Sequence, residues 1–337
     1  MMNFYKFLFI NLMFSSTLIS ISSTSWFNAW IGLEMNLLSI MPLMKSSNNK
    51  FSAEATIKYF IIQAMASSIL LFSILIYTNL KIFNMNSMLP LSSILINSSL
   101  LMKMGAAPFH FWLPEVLSGL NWQINFIILT WQKIAPMILL SYTILLPSFL
   151  SIIIILSSLI SGIFGLNQIC LRKILAFSSI NHMSWMISII MNSLNTWIYY
   201  FIIYSIINFN MIIIFNKYQI FFMNQLNKLF TNNKTMKFIF MLNFLSLGGL
   251  PPFLGFFPKW MTINFLINKN FFTLSFILII FTLISLYFYL RITFSSFTLN
   301  STESLINTFN KISFIHFFIN LISLMGLLIC FITSNFY

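Results

Sequence analysis

The chain has 337 residues, 59% of them hydrophobic and only 6% charged, with a formal net charge of +13. Soluble domains carry about 25% charged residues, so this chain cannot coat a water-facing surface and lipid must be its main solvent. The positive charge does not indicate nucleic acid, because the basic residues sit singly between apolar runs rather than on one polar domain. A helix crossing the ~30 Å hydrocarbon core needs about 20 apolar residues, and this length allows on the order of a dozen such spans.

Eleven apolar segments follow one another along the chain. The first, 4–23, has the look of a signal peptide but lacks a small-residue cleavage site, and equally hydrophobic segments follow it. It is therefore predicted to be the first span. Segments 26–44 and 54–78 come next. The fourth, 88–118, is too long for one simple span and is interrupted by Gly105-Ala106-Ala107-Pro108. Segments 122–145, 148–168, 174–192 and 196–216 follow. The ninth, 236–267, is again overlong and is interrupted by Gly248-Gly249-Leu250-Pro251-Pro252. The last two are 271–294 and 312–334. Such breaks are tolerated inside a bilayer only where protein or a wet cavity satisfies the freed backbone groups.

The loop charges fit this count. With the N-terminus on one face, that face carries Lys6, Lys45, Lys50, Lys58, Arg172, Lys173, Lys217, Lys228, Lys234, Lys237, Arg291 and Lys311, and the other only Lys81 and Lys269. Positive charge collects on the cytoplasm-equivalent side, which is the matrix in a mitochondrial protein. Trp26, Trp30, Trp122 and Trp197 near span ends are expected in interfacial belts. Cys170 and Cys330 fall near opposite faces, which argues against a disulfide, and no CxxC or metal-binding spacing is present.

Spans one to five and six to ten each place a broken helix fourth. Five is odd, so two such units have opposite orientation. Inverted repeats with matching broken helices point to a transport site near the midplane. The predicted fold is thus an all-α integral membrane protein of about eleven helices. It divides into a first repeat over 1–145, an inverted second repeat over 148–294 and a C-terminal helix over 312–334.

Few charges remain inside the spans. Glu54 and Glu303 lie at loop ends and Glu115 near the same face, which leaves Glu34 as the one deep carboxylate. Three lysines, Lys103, Lys133 and Lys259, lie within spans. An isolated charge at the bilayer centre costs from about 3 to well over 10 kcal/mol, so such residues face the bundle interior and take partners. Lys103 is the expected partner of Glu34. Lys133 lies roughly 16 Å along its helix, near mid-membrane. Desolvation penalises the charged form of an amine, and a carboxylate moving toward or away from it switches it between holding and releasing a proton. A chain of lysines in a hydrated track then relays protons. His182 is an even choice between relay and helix–helix hydrogen bonding. His110 and His316 are expected to be structural. Lys103 and Lys259 flank breaks and could instead cap freed carbonyls. Gly248-Gly249 begins no G-x-G-x-x-G pattern, so nucleotide binding is not supported.

The stretches WIGLEMNLLSIMPLM, LMKMGAAPFHFWLPEVLSGL, ILTWQKIAPM, RKILAFSSINHMSW and SLGGLPPFLGFFPKW together carry a family resemblance. The sequence resembles the subunit-2 family of mitochondrial NADH:ubiquinone oxidoreductase (complex I), in its short animal form, within the Mrp-type antiporter-like proteins. Heavy use of Phe, Ile, Met, Asn and Lys, which share AT-rich codons, is similar to insect mitochondrial products. The resemblance implies a fourteen-span fold lacking its first three spans. It implies pairing of Glu34 with Lys103, a central Lys133, and Lys259 on the route to the outer side. It also implies that NADH, FMN, iron–sulfur clusters and ubiquinone act in other subunits, with no cofactor in this chain. The expected partners are the other membrane-arm subunits, antiporter-like siblings among them, and inner-membrane lipids. The N-terminus is expected in the matrix and the C-terminus in the intermembrane space. A freestanding cation/proton antiporter is the alternative, disfavoured by the single deep carboxylate. A purely structural membrane subunit is the third reading.

Overall fold

The computed structural model describes residues 2–45, 49–82, 88–144, 146–228 and 234–298. The expected span 312–334, with Glu303, Lys311, His316 and Cys330, lies outside them. The described chain is helical, and its only bridge between extended residues joins Cys170 and Phe222. It divides into two compact units, Met1–Leu156 and Ser157–Tyr337. Among the described residues, six stretches are long and apolar enough to cross a membrane.

The first unit holds α1 (Met2–Ser22), α2 (Trp26–Met44), α3 (Lys50–Ile82), α4 (Leu89–Met104), α5 (Trp112–Gly119), α6 (Trp122–Leu129) and α7 (Trp131–Ser141). Helix α8 (Pro147–Leu166) runs across the division. Ser25 caps α2, its hydroxyl accepting from the Asn28 amide at 3.3 Å. Helices α1 and α2 pack in close contact. A Cβ at Gly32 would stand 2.8 Å from the Cβ and the amide nitrogen of Ser20, so only glycine admits this approach. The buried serines of both units mostly bond the carbonyl three residues earlier, as Ser16, Ser20, Ser73 and Ser99 do. This local bonding lets a hydroxyl enter an apolar bundle without an orphaned donor.

The second unit holds α9 (Leu171–Ile190), α10 (Leu194–Tyr218), α11 (Met223–Lys228), α12 (Lys234–Gly248), α13 (Phe256–Asn268) and α14 (Phe272–Thr298). From Ile174 to Ile190 every residue of α9 is buried, including Ser178, Ser179, Asn181, His182, Ser184 and Ser188. A helix this polar survives in a membrane protein because its own unit encloses it. At one end of α14 the Arg291 guanidinium donates to the carbonyls of Leu166 and Gln168 and so caps the last turn of α8.

Three of the apolar segments are interrupted. The fourth gives α4 and α5, and the ninth gives α12 and α13, at the glycines the sequence marks. The fifth is also split, at Thr130, between α6 and α7. The Thr130 hydroxyl takes the Phe126 carbonyl at 2.7 Å. Pro136, inside α7, removes another donor. Trp122 and Trp197 stand at or near the starts of apolar helices, 1% and 3% exposed, so the protein itself covers their rings. Trp30 is half-buried and donates to the Ser67 carbonyl at 3.2 Å.

Candidate functional site

The two glycine breaks are built alike. In the first, Gly105 takes a left-handed φ of 75°; its amide bonds the carbonyls of Leu101 and Met102, and the Ala106 amide bonds Leu101 at 3.1 Å. In the second, Gly249 takes a φ of 80°; its amide bonds Leu245 and Ser246, and the Leu250 amide bonds Leu245 at 3.4 Å. Both are glycine C-caps with the 6→1 bond of a Schellman turn. The second break also needs a glycine at 255, where a Cβ would stand 1.7 Å from the Ser246 carbonyl oxygen.

The remaining carbonyls are satisfied differently. At the first break the Trp112 indole donates to Met102 at 3.2 Å and the Gln63 amide to Lys103 at 3.1 Å. Both donors are neutral, and the Lys103 amine is not spent on the helix end. At the second break the Lys259 amine itself donates to Gly248 at 2.7 Å and to Leu247 at 3.4 Å. The capping role open to both lysines on sequence therefore describes Lys259 and not Lys103.

Glu34, on α2, has one carboxylate oxygen fully buried. It lies within electrostatic range of Lys103. The two make no ion pair within 4.0 Å, whereas Lys58 pairs with both Glu54 and Glu115 at 2.9 Å in a half-exposed cluster. Lys103 is 7% exposed and Lys133 1%. The helices carrying them, α4 and α7, pack together. An amide clasp joins α2 to α7: Asn36 donates to Gln132 at 3.1 Å and Gln132 donates back at 2.9 Å. It places the neighbours of Glu34 and of Lys133 in one structure. The sequence reading missed it, although Gln132 stands beside Lys133.

In the second unit His182 is buried and its Nδ1 lies 2.8 Å from the Tyr200 hydroxyl. Its ring lies 4.9 Å from that of Tyr204. Lys259 is 6% exposed on α13, which packs against α9, α10 and α14. His110 sits in the first break with Nδ1 3.2 Å from the Pro108 carbonyl. Among the described residues no group of three or more His, Cys, Asp or Glu side chains is placed to hold a metal ion.

The chain is similar to known proteins over nearly its whole length. The family model for "NADH:quinone oxidoreductase/Mrp antiporter, TM" matches residues 23–285. The NADH-ubiquinone oxidoreductase chain 2 of Anopheles gambiae is 47% identical over 95% of either chain. That of Locusta migratoria is 46% identical over 99% of this chain and 97% of its own. A solved chain of respiratory complex I from Thermus thermophilus shares the fold, with a TM-score of 0.85 at 20% identity, covering 98% of this chain and 80% of that one. With this fold, these relatives and this family match, the chain belongs to the NADH-ubiquinone oxidoreductase chain 2 family of antiporter-like membrane proteins.

Proposed function

We propose that the chain is the antiporter-like membrane subunit, chain 2, of a proton-translocating NADH:ubiquinone oxidoreductase, multi-pass in the mitochondrial inner membrane. It works among the other membrane-arm subunits. NADH, FMN, iron–sulfur clusters and ubiquinone act in other subunits, and this chain turns the energy they release into proton movement. The proposal includes about eleven spans, inverted repeats over 1–145 and 148–294, and a matrix N-terminus. The matched glycine caps at Gly105 and Gly249 support the repeat.

Within the first unit, Glu34, Lys103 and Lys133 form the proton-handling group. The observation that carries this is the state of Lys103: buried, within electrostatic range of Glu34, not in direct contact with it, and relieved of capping by Trp112 and Gln63. At an effective dielectric constant of ~20, moving a carboxylate from ~4 to ~8 Å changes an ion-pair energy by about 2 kcal/mol. That shifts the balance between ammonium and amine ~30-fold. A small motion of α2 thus suffices to load or release a proton, which Lys133 receives. His182 and Lys259 serve the second unit. The carbonyl contacts of Lys259 also favour a structural duty for that residue.

Lys133→Met in the assembled complex, reconstituted in vesicles, is expected to abolish NADH-driven proton uptake. Normal coupled uptake would favour the structural reading. Cation/proton exchange by the chain reconstituted alone would favour a freestanding antiporter.

A further inference from the structure

Most buried hydroxyls of the first unit bond within their own helices, as Ser16, Ser20, Ser73 and Ser99 do. Two amides reach across it instead. Asn36 on α2 and Gln132 on α7 stand 96 residues apart in the chain. Asn36 Nδ2 donates to Gln132 Oε1 at 3.1 Å, and Gln132 Nε2 donates to Asn36 Oδ1 at 2.9 Å. Asn36 is 4% exposed. A position that needs only volume in an apolar bundle is filled by leucine without the desolvation cost of an amide. Two bonds in opposite directions close a ring between two planar groups. Hydrogen bonds weaken steeply as they bend, so turning or sliding either helix strains both bonds at once.

The clasp sits where the two helices carry their ionisable groups. Asn36 follows Glu34 by two residues, and Gln132 immediately precedes Lys133. Successive residues turn by about 100° round a helix. Glu34 and Asn36 therefore leave α2 on different sides, and Gln132 and Lys133 leave α7 on adjoining ones. Fixing the amide fixes the rotation of the helix, and with it the direction in which the charged group leaves. The start of α7 is held by the same hairpin a second time. Trp131 meets Phe14 of α1 edge-on, ring centroids 4.4 Å apart. Helices α1 and α2 are too close at Gly32 and Ser20 to slide past each other. The split at Thr130 separates α7 from α6. These side chains and the packing of α4, rather than a continuous helix, set the place of Lys133.

We infer that Asn36 and Gln132 are positioning residues that tie the helix of Glu34 to the helix of Lys133, so that the two helices move as one body. This rests on the proton-translocating reading above and adds the link that joins its parts. Helix α4, which carries Lys103, packs against α7. A joint displacement of α2 and α7 therefore changes the Glu34–Lys103 and Lys103–Lys133 separations in one motion. The clasp exchanges no proton itself. Amides suit the duty because each supplies a donor and an acceptor and neither titrates, so the link holds whichever protonation state its neighbours take. A small misplacement of a reacting group lowers its rate steeply, and hydrogen bonds behind the group are what hold it in place.

The test uses the intact complex in sealed vesicles, with NADH oxidation, proton uptake and thermal inactivation followed together. Removing one amide leaves its partner unpaired, whereas replacing both by apolar groups of similar shape is nearly neutral for stability. N36L/Q132L is therefore expected to match the parent in assembly and inactivation temperature, yet to take up about five-fold fewer protons per NADH oxidised, or fewer still. N36Q/Q132N, which restores an amide pair of the same combined length, is expected to recover that ratio. A purely structural clasp predicts the opposite for the double leucine variant: stability and uptake return together. That result, with Lys133→Met inactive, would overturn the inference and leave the lysine reading intact. An exchanged pair no better coupled than the double leucine variant would overturn it too. Normal uptake in Lys133→Met would remove both readings. If N36L/Q132L does not assemble, Gln132→Leu decides, assayed below its inactivation temperature: a lowered ratio upholds the clasp, and an unchanged ratio overturns it.

Discussion

Replacing Lys103 and Lys259 by methionine separates two roles that look alike in the sequence. The Lys259 ammonium donates to Gly248 at 2.7 Å and Leu247 at 3.4 Å, at the buried end of α12. Removing it leaves the shorter of these bonds, to Gly248, without its donor. A hydrogen bond from a charged donor contributes about 1.5–3 kcal/mol, so the break should open more easily by about 2 kcal/mol. Opening is then ~30-fold more frequent, at 1.4 kcal/mol per decade. Lys103 makes no such bond, and Gln63 and Trp112 keep its helix end closed. Hydrogen–deuterium exchange of the assembled complex, read by mass spectrometry over residues 245–256 and 101–109, measures both openings directly. The expected result is ~30-fold faster exchange around Gly249 in K259M, no change around Gly105 in K103M, and loss of proton uptake in both. Equal acceleration at both breaks, or at neither, would refute the distinction.

Other expectations follow from the same geometry. Gly255→Ala forces a methyl onto the Ser246 carbonyl and shifts the backbone beside the Gly249 cap; overpacking of this kind costs about 3 kcal/mol or more, seen as reduced assembly. Gly162→Ala, with its nearest contact at 3.4 Å, should assemble normally. Gln132→Leu leaves the Asn36 amide unpaired between α2 and α7; a loss of about 1–3 kcal/mol should appear as a lower thermal-inactivation temperature together with weakened proton uptake. Lys58→Ala removes only half-exposed ion pairs; such pairs contribute about 0–1 kcal/mol, so uptake and stability should match the parent complex.

The membrane class, the apolar helices among the described residues and the burial of Lys103, Lys133 and Lys259 follow from the sequence. A charge in a run of apolar residues is conspicuous, and a glycine–proline break in an overlong segment has few physical meanings. The split at Thr130 was also written there, in a threonine and a following proline, but a single hydroxyl is a weaker signal than Gly105 or Gly249. Tyr200, Tyr204 and Asn208 recur every four residues on one helix, yet among so many aromatics the spacing alone does not stand out.

What only the tertiary structure decides is which group answers which. Two lysines beside two similar breaks are indistinguishable in one dimension. Whether an amine caps a carbonyl depends on a tryptophan seven residues past one glycine and a glutamine from another helix, brought within hydrogen-bond reach by packing. The sequence by itself determines which residues are too costly to leave in lipid. The fold determines their partners, because hydrogen bonds act over about 3 Å and chain distance does not measure that.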